Sequence, residues 1–198
     1  MFRFSTRKTA AALAVATLTT GVLFVAPSAF AADSVSQSVT GGSLTATVAD
    51  LGLAPVVTAH TDQVATGTMT LSADDSTGTG AGWNVTEQVS DFIYSGPAGG
   101  TNIPATAFSI TSVGAVTSSA GQAIDVAGTD AVPTGPQSAN ITTGVSGSLA
   151  TAVKVITAGA NYGSGTYSQP INVALTIPAD SRVGTYTGTL TTSMTAAP

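Results

Sequence analysis

Apolar and polar residues alternate with a period of two over many short segments of this chain. The clearest example is segment 171–177, in which one face carries Ile171, Val173, Leu175 and Ile177 and the other carries Asn172, Ala174 and Thr176. Such alternation is typical of a β-strand with one face in the core. Pro170 and Pro178 flank the segment, so we expect the strand to lie between them, because proline donates no ladder hydrogen bond.

The same pattern predicts further strands, and after residue 31 no segment has the 3.6-residue apolar spacing of an amphipathic helix. The predicted strands are residues 44–48, 66–72, 83–90, 149–156 and 184–194, with shorter pieces near Phe108 and Ile124. Loops rich in Gly, Ser, Thr, Asp and Asn, such as residues 74–80 and 159–165, separate them. The pattern predicts an all-β fold, a β-sandwich or, as the alternative closure, a barrel.

Residues 1–31 have the three parts of a secretory signal peptide. Arg3, Arg7 and Lys8 come first, an apolar run follows over residues 11–26, and Ala29 and Ala31 fit a cleavage site. We therefore expect a secreted protein with a single mature domain over residues 32–198. Residues 32–60 either belong to the sandwich or precede it as an N-terminal extension.

The mature chain keeps only Lys154 and Arg182 of the five basic residues, but all ten acidic ones. Two cations cannot neutralise the row of phosphates to which nucleic-acid-binding proteins bind, and an anionic membrane surface would repel the chain. We therefore expect no nucleic-acid partner and no membrane insertion of the mature chain. The chain has no cysteine, so the hydrophobic core must hold the fold without disulfides.

The sequence offers little catalytic chemistry. His60 is the only histidine, and without cysteine a zinc site or a Cys-His pair lacks its usual ligands, so we interpret His60 as a surface residue. Glu87 and Asp91 on one strand would lie about 13 Å apart, whereas glycosidase carboxylates lie about 5 to 9.5 Å apart. Loop 74–80 lacks the spacing of a calcium-binding EF-hand. We expect no catalytic residue, no metal and no cofactor, and hence no enzyme.

Trp83, the only tryptophan, shares a face of its predicted strand with Val85 and Val89. Glu87 falls on that same apolar face, which requires either a bend in the strand or a position near a rim. A large aromatic on the apolar face of a strand is usually a core residue. The alternative, an aromatic that contacts a ligand, stays open at this point.

Two segments resemble the motifs of the WxL domains of Gram-positive cell-surface proteins. Segment 82–85, GWNV, is similar to the proximal Trp-x-Leu motif, and segment 186–194, YTGTLTTSM, to the distal Tyr-x-x-x-Leu-Thr-Trp-x-Leu motif. Val85 and Met194 replace leucines of the pattern, and Thr192 replaces the second tryptophan. The resemblance covers roughly residues 40–198 and is strongest near the C-terminus.

The resemblance implies a cell-surface protein that binds peptidoglycan or another cell-wall glycan without a covalent bond, alongside partner surface proteins that carry a membrane anchor. Residues 194–198 contain no sorting motif, which fits non-covalent retention. The motif positions are the candidates for wall binding: Trp83, Val85, Tyr186, Leu190, Thr191 and Met194. Tyr162 and Tyr167, in and beside the Gly-rich turn, are candidates for stacking on a sugar ring.

A second function fits the same sequence: a structural subunit of a surface fibre or layer, assembled by pairing of edge strands. Its strands are rich in Thr, and segment 33–48 reads as an extended N-terminal piece that is able to add a strand to a neighbour.

Overall fold

The computed structural model describes residues 36–49 and 51–196. The predicted signal peptide and its cleavage site lie outside the described residues. The described strands are, in chain order, β1 (Leu44–Val48), β2 (Gln63–Asp75), β3 (Trp83–Val89), β4 (Ile93–Ser95), β5 (Phe108–Val113), β6 (Thr117–Gly121), β7 (Gln137–Ser138), β8 (Gly147–Ser148), β9 (Val153–Ala158), β10 (Gly165–Ile177), β11 (Thr185–Thr187) and β12 (Leu190–Ala196). A short 3-10 helix, Ala105–Ala107, precedes β5.

The first sheet is built around β2 and β10, which pair antiparallel over their full lengths. Strand β1 pairs with the free side of β2. On the other side of β10, β5 and β6 pair with different parts of the same edge, and β8 pairs with β5. This sheet therefore has long central strands and short outer ones.

The second sheet has the order β12-β3-β9-β7, and β4 with β11 forms a separate two-stranded ribbon. Buried side chains from both sheets belong to a single hydrophobic cluster, for example Leu71 and Ile171 from the first sheet and Val85 and Ile156 from the second. None of the described sheets closes on itself. The fold is an all-β sandwich, as predicted, and the barrel alternative is wrong.

Period-two alternation is visible in the burial of the long strands. Along β2 the odd-numbered residues from Ala65 onward face the core, although Gly67 is only half-buried. The even-numbered residues face outward and are exposed, apart from Asp74, which is half-buried. Along β3, Trp83, Val85, Glu87 and Val89 are buried. Strand β9 has a bulge, so that both Val155 and Ile156 point into the core.

The predicted boundary at Pro170 is wrong, because β10 continues through it to Gly165. In an antiparallel strand the N–H and C=O of one residue point toward the same neighbour. The Pro170 carbonyl accepts a hydrogen bond from the Gly114 N–H at 2.8 Å. The missing N–H of Pro170 therefore also faces the gap between β5 and β6, and no hydrogen bond to β2 is lost. The boundary at Pro178 is confirmed.

Three other predicted boundaries differ from the structure. The predicted last strand, residues 184–194, is two strands, since β11 pairs with β4 and β12 pairs with β3. The strand predicted for residues 149–156 spans Val153–Ala158 instead, and no strand includes Ile124. Strand β1 lies in the first sheet, so this part of residues 32–60 belongs to the sandwich.

Candidate functional site

Trp83 lies inside the sandwich with none of its surface exposed. Its ring packs against Tyr167 of the opposite sheet, with ring centroids 6.0 Å apart at an interplanar angle of 42°. The indole Nε1–H donates a hydrogen bond of 2.9 Å to the Gly163 carbonyl. The indole thus has its one polar group satisfied and both faces enclosed, as a core residue requires.

Gly163 is fitted to this contact. Its φ is +80°, a conformation that favours glycine, and a Cβ there would lie 2.6 Å from Trp83 Nε1 and from Ala158 Cβ. The Gly-rich turn at residues 159–165 therefore has a structural role: it lets the backbone approach the indole closely enough for the Gly163 carbonyl to accept its hydrogen bond.

The fold brings the two motif segments together as neighbouring strands. Val85 pairs with Met194 and Val89 with Leu190 across β3 and β12. Leu190 and Met194 are half-buried against the core. Thr191 points outward and is exposed. Tyr186 lies on β11, outside this sheet, and packs against Tyr94 with ring centroids 5.2 Å apart.

Glu87 is the acid that interrupted the apolar face of its predicted strand, and the structure buries it completely. The strand neither turns it out nor leaves it at a rim. Its cross-strand partner is Thr192, whose Oγ1 lies 3.1 and 2.9 Å from the two carboxylate oxygens. Burial raises the pKa of Glu87 to about 7, and the Thr192 hydrogen bond lowers it in part. Thr192, which stands where the motif has tryptophan, thus contacts this buried acid.

The two tyrosines predicted to stack on sugars lie in different surroundings. Tyr167 is only 1% exposed, and its hydroxyl donates to the carbonyls of Gln122 and Ser164 at 2.9 and 3.2 Å. A ring enclosed in this way offers no face to a sugar, so Tyr167 is a core residue and that prediction is wrong. Tyr162 is half-buried in the Gly-rich turn.

The residues considered for catalysis are not gathered into a site. His60 lies on the surface, as interpreted, with Nδ1 2.6 Å from Asp180 Oδ1. Asp91 is exposed, and its Oδ1 accepts a hydrogen bond from the Ala105 N–H at 2.8 Å. Within residues 36–49 and 51–196 no group of three or more His, Asp or Glu side chains is placed to hold a metal ion.

The outer face of the first sheet carries a network of hydroxyl and amide groups around Asn172. Asn172 Oδ1 accepts from Thr68 Oγ1 at 2.7 Å, and Nδ2 donates to Ser112 Oγ at 2.9 Å. Thr111 Oγ1 donates to the Asn172 carbonyl at 3.2 Å. A shallow groove of about 320 Å³ runs over these residues. Its hydroxyls are held in fixed positions and face solvent, which suits hydrogen bonding to a polar polymer.

A larger cleft of about 700 Å³ opens at one end of the sandwich. Its floor comes from inner-face residues of the two long strands and from the residue just before β4: Ala65, Phe92, Leu175 and Ile177. One wall is segment 51–59 and the other is segment 181–188, which includes β11 and Tyr186. The cleft has the size and apolar lining of a binding site.

Two structural features were not predicted from the sequence, for different reasons. Segment 51–57, LGLAPVV, is apolar without a period, so no strand or helix was assigned to it. In the structure Leu51 and Leu53 pack over Gly67, where a Cβ would lie 3.0 to 3.1 Å from their side chains. The Glu87–Thr192 pair joins residues 105 positions apart, which no local pattern reveals.

The chain matches a known family over nearly its whole length. A family model described as WxL domain surface cell wall-binding matches residues 22–198. Searches of curated proteins and of solved structures each gave no match. The fold is an all-β sandwich with an enclosed tryptophan, and the chain belongs to the WxL domain family of surface cell-wall-binding domains. Among the described residues no helix is long and apolar enough to cross a membrane.

Proposed function

We propose that this protein is exported and binds the peptidoglycan of a Gram-positive cell wall without cleaving it. The observation that carries the proposal is the family match over residues 22–198, because the family is one of wall-binding and not of catalytic domains. Partner surface proteins with membrane anchors belong to the same proposal. Export has a simple test: N-terminal sequencing of the protein from the cell surface should begin at Ala32.

The outer face around Asn172 is the surface that we propose for wall contact. Trp83 and Val85 have no exposed surface, and Leu190 and Met194 are half-buried against the core, so these motif residues have little area for a polymer. The Asn172 network is exposed and presents hydroxyl and amide groups, which match the hydroxyl and acetamido groups of the wall glycan. Hydrogen bonds of this kind depend little on salt, unlike contacts between charges.

Isosteric variants on the two outer faces test this assignment. In the double variant Thr68→Val, Thr111→Val two hydroxyls are removed while the β-branched shape is retained. The matched control is Thr191→Val, Thr195→Val, two exposed threonines on the outer face of the second sheet. Mature protein, residues 32–198, is incubated with purified peptidoglycan sacculi over a range of salt, and the bound fraction is measured.

We expect wild type and the control pair to bind at all salt concentrations, and the Thr68, Thr111 pair to bind at least tenfold more weakly. Loss of binding in the Thr191, Thr195 pair alone would move the contact to the second sheet, which carries Thr191, one of the motif residues predicted to bind the wall. Absence of binding by folded wild type would contradict the proposal itself.

A further inference from the structure

The apolar cleft and the buried tryptophan lie at opposite ends of the sandwich. The cleft is lined by Gln63 and Ala65 at the start of β2 and by Ile177 at the end of β10. Trp83 packs on Tyr167, which pairs with Ala73 near the other end of β2. At about 3.3 Å per residue, the twelve steps from Gln63 to Asp75 span about 40 Å.

Both walls of the cleft present backbone groups that the described chain leaves unpaired. Strand β11 pairs with β4 on one edge only. All residues from Ser181 to Gly188 line the cleft, including neighbours whose side chains point to opposite faces. The edge of β11 that is not paired with β4 therefore faces the cleft. Segment 51–58, on the opposite wall, forms no backbone hydrogen bond with any other described residue. A slot with free backbone groups on its walls and an apolar floor suits an added strand.

We propose that this cleft accepts the N-terminal arm, residues 33–40, of a second copy of the mature chain as an added β-strand. This inference goes beyond wall binding, since it makes each molecule both a donor and an acceptor of a strand. It also gives the fibre-forming function suggested by the sequence a specific site.

The sequence of the arm fits the cleft. In DSVSQSVT, Val35 and Val39 share one face with Asp33 and Gln37, and the serines take the other, so the two valines would meet the floor. Val39 is 91% exposed, so the described part of the arm has an apolar side chain without cover. Asp33 near the start of the arm has the charge opposite to that of Arg182, one of the two cations of the mature chain, which lines the cleft.

The position of β1 decides that the acceptor is another molecule. Leu44, the first residue of β1, pairs with Asp75, so the arm enters the sheet at the end away from the cleft. Fully extended, residues 33–43 span at most about 37 Å, whereas the cleft lies roughly 40 Å away along β2. The arm is therefore too short to place any of its residues in the cleft of its own molecule. A strand donated from one end to the opposite end of a neighbour makes a head-to-tail contact, which does not close at two subunits.

Three single substitutions of exposed valines test the proposal by sedimentation velocity of mature protein over a range of concentrations. Val39→Asp places a charge in the arm, Val183→Asp places one at the cleft, and Val132→Asp is the control in a turn outside both. Their exposures of 91%, 70% and 71% make loss of folding unexpected, and circular dichroism checks it. We expect wild type and Val132→Asp to form growing chains, and the other two to associate at least tenfold more weakly.

A mixture separates this contact from other modes of association. Val39→Asp keeps an intact cleft and Val183→Asp keeps an intact arm, so an equimolar mixture should form heterodimers that do not extend. A monomeric wild type at the highest soluble concentration would overturn the proposal, and the cleft would then be left to a different protein. Association that is unchanged in both variants, or no heterodimer in the mixture, would overturn it as well.

Discussion

The two ends of this sandwich are built differently. At one end Trp83, Tyr167 and Gly163 enclose an indole whose polar group is satisfied and whose surface is fully buried. At the other end, Tyr186 and Phe92 border an open apolar cleft, and Val57 and Val183 are 84% and 70% exposed. The closed end contributes to stability, whereas the open end leaves apolar surface available for a partner.

The proximal and distal sequence motifs have different structural roles. The proximal motif lies at the closed end, where Trp83 is a structural residue, and the distal motif runs from Tyr186 at the open end to Met194 beside Val85. A motif residue therefore marks the fold at one end of the molecule and borders a candidate binding site at the other.

The largest effect is expected for Trp83→Ala at the closed end. Removal of a buried indole loses its transfer free energy and leaves a cavity beside Tyr167, so the free energy of unfolding should fall by about 3 to 5 kcal/mol. Chemical denaturation followed by circular dichroism measures the loss. A change below about 1 kcal/mol would show that the two ends do not differ in the way described.

Gly163→Ala should come next, because the new Cβ clashes with the indole and with Ala158 in addition to the strain of positive φ. Gly78→Ala is the matched control: its φ is +68°, but nothing lies within 4 Å of an added Cβ. Strain alone costs about 1 to 2 kcal/mol. We expect the free energy of unfolding to fall by at least about 1 kcal/mol more in Gly163→Ala than in the control. Equal losses would mean that the close contact between Gly163 and the indole does not contribute to stability.

Glu87 predicts a pH dependence of stability. In the unfolded chain the carboxyl ionises near its ordinary pKa of 4.5, whereas in the fold it keeps its proton up to about pH 7. The unfolded state thus binds fewer protons between these values, so the free energy of unfolding falls as pH rises from about 4.5 to about 7. Denaturation across this range should show a smaller fall in Glu87→Gln. The same slope in both proteins would mean that Glu87 is not the group that titrates.

The smallest effects are expected at the open end. Val57→Ser and Val183→Ser remove exposed apolar groups that have few neighbours, and each should change the free energy of unfolding by less than about 0.5 kcal/mol. The same denaturation experiment compares them with Trp83→Ala. A loss of 2 kcal/mol or more in either would mean that the cleft walls are part of the core.

The parts of the fold that were predictable are those with a local cause. Alternation identifies β2, β3 and β10 because one face of each is buried, and it places Trp83 on the inner face. Pro170 was misjudged because its cost depends on which neighbour its missing N–H would face, and that neighbour changes from β6 to β5 at this residue.

The candidate sites were less predictable because each depends on contacts between distant segments. The Asn172 network joins three strands, and the acid Glu87 is accommodated by Thr192 on the last strand. The walls of the cleft come from segments more than a hundred residues apart, and the segment 51–57 acquires its shape only where Leu51 and Leu53 cover Gly67.

The central claim is that the motif tryptophan builds the core while the wall is contacted elsewhere. The most direct measurement is a sacculus pull-down of Trp83→Phe, a substitution that keeps an aromatic ring in the core but removes the hydrogen bond to Gly163, with circular dichroism to confirm folding. The account predicts that the folded variant binds sacculi as well as wild type does. Loss of binding in a folded Trp83→Phe would contradict it and make Trp83 part of the wall-binding surface.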